Sequence, residues 1–267
     1  MDSISESIKN HIISSKDYDS SDVVERKYYV SDMGKCERTR WLKRKGIKQT
    51  FDPHVYWILQ MGDLIHDFVY EALEAQKRLI EVEVTVENNQ FKGRLDAVVR
   101  FDDREVISDI KSANPWKIKK IMGGDPDAWT RDQLLTYCLM RNMEEGSDKY
   151  DRGLAIYINK DPNAKSTLEV VYEKEHILTP SRKKKLLAEM NKMTEYWVND
   201  EIPPCTCPGW MAPYNNFLPL CKMPENDIRY LLGLIEEGKT VISSKDKIML
   251  ASNYKQPDEE ISEFLKA

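Results

Sequence analysis

Apolar and polar residues repeat with two different periods along the chain, and the change of period separates helical from extended segments. Residues 55–77 place apolar positions three or four residues apart, which predicts a long amphipathic helix. Over residues 80–87 (IEVEVTVE), apolar and polar residues alternate strictly, which predicts a half-buried strand. Two further strands, FKGRLDAVVRF and EVISDIK, follow and are joined by a turn at Asp102 and Asp103. The pattern therefore predicts a strand meander behind a long helix.

The remaining segments complete the predicted order of elements. Further helices are predicted near 4–12 and at 31–45 (ended by Gly46), 127–143, 180–199, 225–237 and 244–252, and further strands at 153–159 and 167–173. This order indicates an α/β fold with a central mixed sheet flanked by helices. We expect four parts: an N-terminal helical segment at 1–50, a core at 51–200, a cysteine-rich segment at 201–225 and a C-terminal helical tail at 226–267.

The composition is that of a folded globular protein, because 41% of the 267 residues are hydrophobic and 32% are charged. No window approaches the roughly 20 consecutive apolar residues of a membrane span, and the first residues lack the pattern of a secretory signal. We therefore expect a cytoplasmic protein with no membrane partner. In that compartment cysteines serve as metal ligands, core residues or redox groups more often than as disulfides.

The formal net charge of −5 argues mildly against a protein that coats nucleic acid nonspecifically, because phosphate binding requires clustered lysine and arginine. A small basic patch can still guide DNA towards an acidic site. Three basic clusters are interpreted as solvated faces in preference to DNA contacts: Arg38, Arg40, Lys43, Arg44 and Lys45; Lys117, Lys119 and Lys120; Arg182, Lys183, Lys184 and Lys185.

Carboxylates stand in two predicted strands that are otherwise largely apolar. Asp96 lies in GRLDAVV, and Asp109 and Lys111 lie in EVISDIKS. An acid in an apolar strand is desolvated, so it is tolerable only when paired or bound to a cation. Because side chains alternate, Asp109 and Lys111 face the same side, and a short turn places Asp96 beside them. Such oxygen ligands hold Mg²⁺ or Mn²⁺, and the arrangement suits phosphodiester hydrolysis with the lysine near the attacking water.

The triplet Asp-x-Lys has a simpler explanation when it stands alone, since it is more often a salt bridge within a strand. Together with the Gly-x-x-Asp of the adjoining strand, a catalytic role for the triplet is as well supported as a structural salt bridge. Spacing by itself leaves the two open.

Four motifs occur in a fixed order between residues 60 and 140: GDLIHDFVYEAL around His66, GRLDAVV, SDIK, and QLLTY. In this order they resemble the RecB-like exonuclease branch of the PD-(D/E)xK nuclease superfamily. The resemblance implies a restriction-endonuclease-like core. Asp109 stands where the family more commonly has glutamate, and this departure keeps the carboxylate.

The resemblance also implies a role for each motif residue. Metal ligands would be His66, Asp96, Asp109 and the backbone carbonyl of Ile110, and Lys111 would be the catalytic lysine. Gln133 and Tyr137, four residues apart on one helix face, would complete the catalytic set by positioning the substrate or the lysine.

The cysteines are distributed around this core. Cys138 lies in the motif helix and is assigned to the hydrophobic core. One cysteine upstream and three downstream resemble the iron–sulfur nucleases, which include AddB-type helicase–nucleases and the CRISPR-associated exonuclease. The resemblance implies a [4Fe–4S] cluster that joins the N- and C-terminal segments as a lid, held by Cys36, Cys205, Cys207 and Cys221. The spacing Cys-x-Cys departs from the family's commoner pattern, and Zn²⁺ is the alternative because four thiolates also suit it.

The function implied is a Mg²⁺- or Mn²⁺-dependent deoxyribonuclease, an exonuclease on single-stranded DNA or duplex ends. Phage recombination or replication, DNA repair and CRISPR adaptation, in a bacterial, archaeal or phage-infected cell, are the settings that the resemblance allows. It also allows a homo-oligomer, or partner proteins of recombination or CRISPR systems. The alternatives are a structure-specific endonuclease and a catalytically silent DNA-binding adaptor, and the complete set of Asp96, Asp109 and Lys111 argues against the adaptor.

Overall fold

The structure, a computed structural model, describes residues 27–49, 53–160, 170–207, 217–236 and 248–250, together with Ile4 and Glu6. The chain divides into two compact units. The sheet unit comprises Tyr29–Gly34 and Leu59–Asn191. The cysteine unit comprises the described residues of Met1–Tyr28, Lys35–Ile58 and Lys192–Ala267.

Strands and helices are numbered in chain order over the described residues. The strands are β1 (Tyr28–Tyr29), β2 (Ile47–Gln49), β3 (Leu79–Glu87), β4 (Phe91–Phe101), β5 (Arg104–Ala113), β6 (Arg152–Asn159), β7 (Val171–Ile177) and β8 (Ile248–Leu250). The helices are α1 (Glu37–Arg44), α2 (Pro53–Ala75), α3 (Pro115–Met122), α4 (Ala128–Glu145), α5 (Pro180–Val198), α6 (Leu218–Lys222) and α7 (Glu225–Glu236).

The main sheet is mixed, which confirms the predicted α/β fold class. Its strand order is β1-β4-β5-β6-β7, and β3 also pairs with β4. Neighbouring pairs are antiparallel at β3–β4, β4–β5 and β6–β7 and parallel at β5–β6. Asp102 and Asp103 join β4 to β5 with φ angles of 46° and 59°, the left-handed conformation that a tight hairpin turn requires. The parallel pair needs a long crossover, which α3 and α4 supply.

The centre of the main sheet is buried in an apolar core. A buried apolar cluster joins Val69 of α2 to residues of β4, β5 and β6: Ala97, Val99, Val106, Ile110, Leu154 and Ile156. Helix α4 buries the continuous run Leu134–Met140. The central strands therefore present little surface to water, and any polar side chain in them needs a partner.

Two glycines of the sheet unit predict opposite effects of added volume. A Cβ atom on Gly93 of β4 would lie 2.6 Å from the Tyr137 ring and 2.8 Å from Cβ of Val30, whereas one on Gly62 of α2 would meet nothing within 4 Å. We expect Gly93→Ala to lower the free energy of unfolding by about 1–3 kcal/mol through overpacking. Gly62→Ala should raise it by roughly 0.5–1 kcal/mol through helix propensity. Urea unfolding of both variants checks this, and equal effects would contradict the close packing at Gly93.

Three sequence-based predictions of secondary structure need correction. The helix predicted over 31–45 begins only at Glu37, because Gly34, with φ of 76°, separates it from a 3-10 turn at Val30–Asp32. The strand predicted at 167–173 is observed at Val171–Ile177, and residues 161–169 lie outside the described part. Of its inward positions, Tyr172 and Lys174 are only half-buried and His176 alone is buried, so alternation gave a poor boundary.

The third correction concerns the predicted helix 244–252. Its described residues Ile248–Leu250 form β8, which pairs antiparallel with β2. A short apolar run does not distinguish helix from strand by periodicity alone. Most of the predicted N-terminal helix lies outside the described residues, although Ile4 and Glu6 are helical. Helix α3, in the basic stretch after Pro115, was not predicted as a helix.

The first basic cluster is not a solvated face, contrary to the prediction. Arg38, Arg40 and Arg44 of α1 are 8%, 2% and 5% exposed. The guanidinium of Arg44 lies 3.9 Å from the centre of the Trp197 ring and 4.5 Å from that of Tyr28, so cation–π contacts replace part of its hydration. Among the described helices, none is both long and apolar enough to cross a membrane.

His176 on β7 predicts a pH-dependent stability. Its side chain is buried, and its Nε2 atom has no hydrogen-bond partner among the described residues. Burial, with the charges of Lys174, Arg131 and Arg182 and against that of Asp127, lowers its pKa from 6.5 to about 4. Between these two pH values the imidazole of His176 is therefore protonated in the unfolded chain and neutral in the folded chain.

Stability from His176 should be complete above pH 6.5 and fall as the pH drops towards 4, by on the order of 3 kcal/mol. Urea unfolding at a series of pH values measures this loss. His176→Gln should flatten the curve in that window, and an unchanged slope in the variant would contradict the assignment.

Candidate active site and cysteine centre

Asp109 and Lys111 form the charged centre of the sheet unit. Both lie on the same side of β5, as their alternation predicts, and the ammonium of Lys111 donates to Oδ1 of Asp109 over 2.8 Å. Asp109 is 1% exposed, and its second oxygen, Oδ2, is buried without a hydrogen-bond partner in the described structure. An unpartnered buried carboxylate oxygen is costly, so this atom is suited to a cation.

Asp96 lies on β4, next to Asp109 in the sheet, as the short turn predicts. Its Oδ2 atom accepts a hydrogen bond of 2.7 Å from the backbone N–H of Ile110. The neighbouring pair in this register is Ala97 with Ser108. The sheet thus brings the two aspartates, 13 residues apart in the sequence, to one place.

His66 of α2 lies close to Ile110. Its Nε2 atom lies 3.0 Å from the carbonyl oxygen of Ile110. Val69, three residues further along the same helix face, is held in the apolar cluster, and this packing fixes the orientation of the helix. This distance is that of a hydrogen bond in which the imidazole N–H donates to the carbonyl oxygen.

The pKa values of the pair follow from burial and mutual attraction. Burial raises the pKa of Asp109 above its ordinary value, although the charge of Lys111 acts against it. For Lys111, burial acts to lower the pKa, but the carboxylates of Asp109 and Asp96 outweigh it and leave the pKa raised. At neutral pH the lysine therefore carries its proton and acts as a hydrogen-bond donor.

Gln133 and Tyr137 of α4 contact different parts of the site. The amide nitrogen of Gln133 donates to Oδ1 of Asp109 over 3.0 Å, so this oxygen accepts from both Gln133 and Lys111. The hydroxyl of Tyr137 donates to the backbone carbonyl of Arg94 over 2.9 Å, two residues before Asp96. Gln133 thus orients one aspartate directly, and Tyr137 supports the strand of the other.

Two tyrosines that the sequence analysis missed lie near these residues. The ring of Tyr70, four residues after His66 on α2, packs edge-on at 6.0 Å from the imidazole, and its hydroxyl is buried without a partner in the described structure. Tyr157 of β6 stands opposite Lys111 in the parallel register and donates 2.8 Å to Asp127. The position of Tyr70 one turn after His66 was the available signal, whereas the parallel register was not visible in the sequence.

The acidic residues differ from the cysteines in their arrangement. In the described part of the chain, the cysteine group is the only one of three or more histidine, cysteine or acidic side chains placed to hold a metal ion. Both aspartates already accept hydrogen bonds. Water or substrate oxygens would have to complete the shell of a bound cation.

The cysteine unit brings together the four cysteines that the resemblance implied: Cys36, Cys205, Cys207 and Cys221. The sulfur atoms of Cys36 and Cys221 are 4.0 Å apart. Cys36 directly precedes α1, and its sulfur accepts from the backbone N–H of Thr206. The hydrogen bond from Cys221 is the main reason that the pKa of Cys36 lies well below its ordinary value, despite burial. Such a group could hold a metal ion or cluster.

Two residues of α1 organise this centre, and the sequence analysis did not assign them to it. Arg38 donates to the carbonyl oxygens of Pro203, Cys221 and Met223 over 2.6, 2.9 and 3.2 Å. It therefore holds both cysteine-bearing segments against the helix. The hydroxyl of Thr39 lies 2.9 Å from the sulfur of Cys221.

Cys138 stands apart from this group. It is fully buried in α4, and burial raises the pKa of its thiol. The core role predicted for it is confirmed.

A mixed sheet with two aspartates and a lysine on adjoining strands, and a helix that supplies a histidine, defines the class of nuclease-like α/β folds. The sequence matches the profile of the PD-(D/E)XK nuclease superfamily over residues 24–221, and the chain belongs to this superfamily. The resemblance derived from the four motifs is thereby confirmed.

Solved structures similar to this chain have low sequence identity. A protein designated SSO0001 is 17% identical with a TM-score of 0.45, over 82% of this chain and 93% of that one. The alkaline exonuclease LHK-Exo from Laribacter hongkongensis, in its complex with dAMP, is 15% identical with a TM-score of 0.43, over 66% and 93%. A phage-related exonuclease from Haemophilus somnus 129PT is 12% identical with a TM-score of 0.37, over 53% and 72%. A search of curated proteins finds no match.

Proposed function

We propose that this protein is a metal-dependent DNA exonuclease that hydrolyses phosphodiester bonds in single-stranded DNA or at duplex ends. One observation carries the proposal: Asp109 is buried with one oxygen unpartnered in the described structure and the other bonded to Lys111. Membership of the superfamily supports the reaction class.

The residues present fit a hard divalent cation. His66, Asp96, Asp109 and the carbonyl of Ile110 would hold Mg²⁺ or Mn²⁺, and the unpartnered Oδ2 of Asp109 is the atom that most needs one. When bound, the cation supplies a water of lowered pKa and offsets charge on the phosphate.

Lys111 would contribute as a donor. Its ammonium donates to Oδ1 of Asp109 over 2.8 Å, and from that position it can hydrogen-bond a phosphate oxygen or the attacking water. Gln133 would hold Asp109 in place, and Tyr137 would hold the strand that carries Asp96. In this proposal Gln133 and Tyr137 are positioning residues for the two aspartates.

We propose further that the four cysteines hold a [4Fe–4S] cluster, as the resemblance to iron–sulfur nucleases implies. The alternative is one zinc ion, because four thiolate sulfur atoms within 4.8 Å of one another also suit tetrahedral zinc. Iron, sulfide and zinc analysis of anaerobically purified protein decides between the two.

The test of the nuclease uses three single-stranded substrates: an oligonucleotide labelled at its 5′ end, the same one labelled at its 3′ end, and a closed circle. Each is incubated with Mg²⁺, Mn²⁺ or EDTA. Metal-dependent release of end label with an intact circle supports the exonuclease and gives its polarity. Cleavage of the circle would indicate the endonuclease instead. Tight DNA binding without cleavage in any metal would overturn the enzyme in favour of an adaptor.

A further inference from the structure

We propose that the outer face of α3 binds single-stranded DNA next to the catalytic strand. This α3 face consists of Trp116, Lys119 and Lys120, which share one side of the helix at spacings of three and four residues. The inference rests on the proposed DNA nuclease function and names the surface that would hold the strand beyond the cleaved bond.

Helix α3 is a fixed platform. Ile118 and Ile121 are 1% and 2% exposed, so the opposite side of the helix is packed in the sheet unit. Asn114 caps the first turn by accepting from the backbone N–H of Lys117, and Pro115 opens the helix. Side chains on the outer face therefore project from a rigid element, which lowers the entropy cost of binding.

The outer face combines an aromatic ring with unneutralised positive charge. Trp116 is 65% exposed, and the ammonium of Lys120 lies 4.0 Å from the centre of its ring. No acidic residue occurs in the helix, and neither Lys119 nor Lys120 has a carboxylate partner in the described structure. The tryptophan ring suits a nucleic-acid base, and the two lysines suit its phosphates.

The face lies directly beyond the catalytic residues along the chain. Trp116 follows Lys111 by five residues, so at most about 18 Å of chain separates them. Lys117, the residue after Trp116, pairs with Asp127 at 3.2 Å, and Asp127 accepts from Tyr157, the neighbour of Lys111 on β6. This connected set ties α3 to the site, so a strand held at Lys111 would reach the α3 face within a few nucleotides.

The ligand of the α3 face is single-stranded DNA, because the bases of a duplex are stacked on each other and leave no face for Trp116. Base–aromatic stacking tolerates any sequence, which suits an enzyme that digests DNA progressively. Lysines on the same face would add contacts to the backbone that weaken with salt.

The experiment measures binding of the full-length protein to a 20-nucleotide thymidine strand and to an abasic strand of equal length, in EDTA to prevent cleavage. Trp116→Ala should weaken binding to the thymidine strand about 5- to 100-fold and leave the abasic strand unchanged, and Trp116→Phe should restore most of the loss. The double variant Lys119→Ala with Lys120→Ala should weaken both and reduce the salt slope by about 1.4.

Matched controls stand elsewhere on the protein. Trp57 of α2 is 50% exposed, and Lys149 pairs with Glu105 at the other end of β5. Trp57→Ala and Lys149→Ala should bind as the wild type does. Wild-type affinity in Trp116→Ala, or an equal loss in Trp57→Ala, would overturn the surface even if the enzyme digests DNA. Selective loss in Trp116→Ala by a protein that cleaves nothing would keep the surface and reject the nuclease.

Discussion

Replacing Asp109 and Lys111 together, as Asp109→Asn with Lys111→Met, is expected to lower the rate of DNA hydrolysis about 10³-fold or more. The substitution removes the carboxylate with the unpartnered oxygen and the ammonium that donates to its other oxygen. The rate of metal-dependent digestion of end-labelled DNA measures the loss. A double variant with wild-type activity would remove the sheet site from the mechanism.

The double replacement is chosen because the single changes disturb folding. Lys111→Ala would leave a carboxylate that is 1% exposed without its charge partner, at a cost of about 3–5 kcal/mol. Removing one negative and one positive group together leaves the net charge of the site unchanged, so the melting temperature should stay within a few degrees of the wild type. Lys149→Ala is the matched lysine control, and it should digest DNA normally.

Cys36→Ser is expected to abolish metal binding by the cysteine unit. Cys36 is the upstream member of the group, and its sulfur lies 4.0 Å from that of Cys221. Structural sites of this kind contribute on the order of 10 kcal/mol to folding when the metal is zinc, so the variant should also unfold at much lower urea. Metal analysis and, for iron, visible absorbance give the first readout, and urea unfolding gives the second.

Cys138→Ser supplies the matched control. Cys138, like Cys36, is buried, but it lies in α4, where its sulfur donates to the carbonyl of Arg152 over 3.3 Å. Its variant should keep the full metal content. Loss of metal from Cys138→Ser as well, or retention by Cys36→Ser, would contradict the assignment of the four cysteines.

Local patterns predicted the central sheet and the acidic pair well, for reasons that can be named. Strict alternation revealed β3, and the Asp102–Asp103 turn gave the hairpin that places Asp96 beside β5. Because side chains alternate, the shared side of Asp109 and Lys111 follows from a spacing of two. These features depend on neighbours within about 15 residues.

Local patterns could not predict the long-range contacts of the site. The approach of His66 to Ile110 joins residues 44 apart, and the parallel pairing that sets Tyr157 opposite Lys111 joins residues 46 apart. Only the family resemblance pointed to His66 as a ligand candidate, and nothing pointed to Tyr157. Local sequence patterns indicate helices and strands, but they do not indicate which distant element packs against each of them.

The arginines of α1 were wrongly interpreted as a solvated face because their partners are distant in the sequence. A run of charged residues normally indicates a solvated face, yet Arg38 is bound by carbonyl groups 165 and more residues away. Arg44 likewise finds the rings of Tyr28 and Trp197. The sequence near residue 40 contains no trace of these partners.

The cysteine group also has a topological consequence. Cys36 and Cys221 are 185 positions apart, and the segment between them includes all of Leu59–Asn191. A metal centre would therefore act as a reversible cross-link that closes this segment into a ring. By the chain-entropy estimate for cross-links, a ring of this size restricts the unfolded chain by about 5 kcal/mol. A single proteolytic nick inside the ring would leave the two fragments joined, and oxidative loss of the centre would release them.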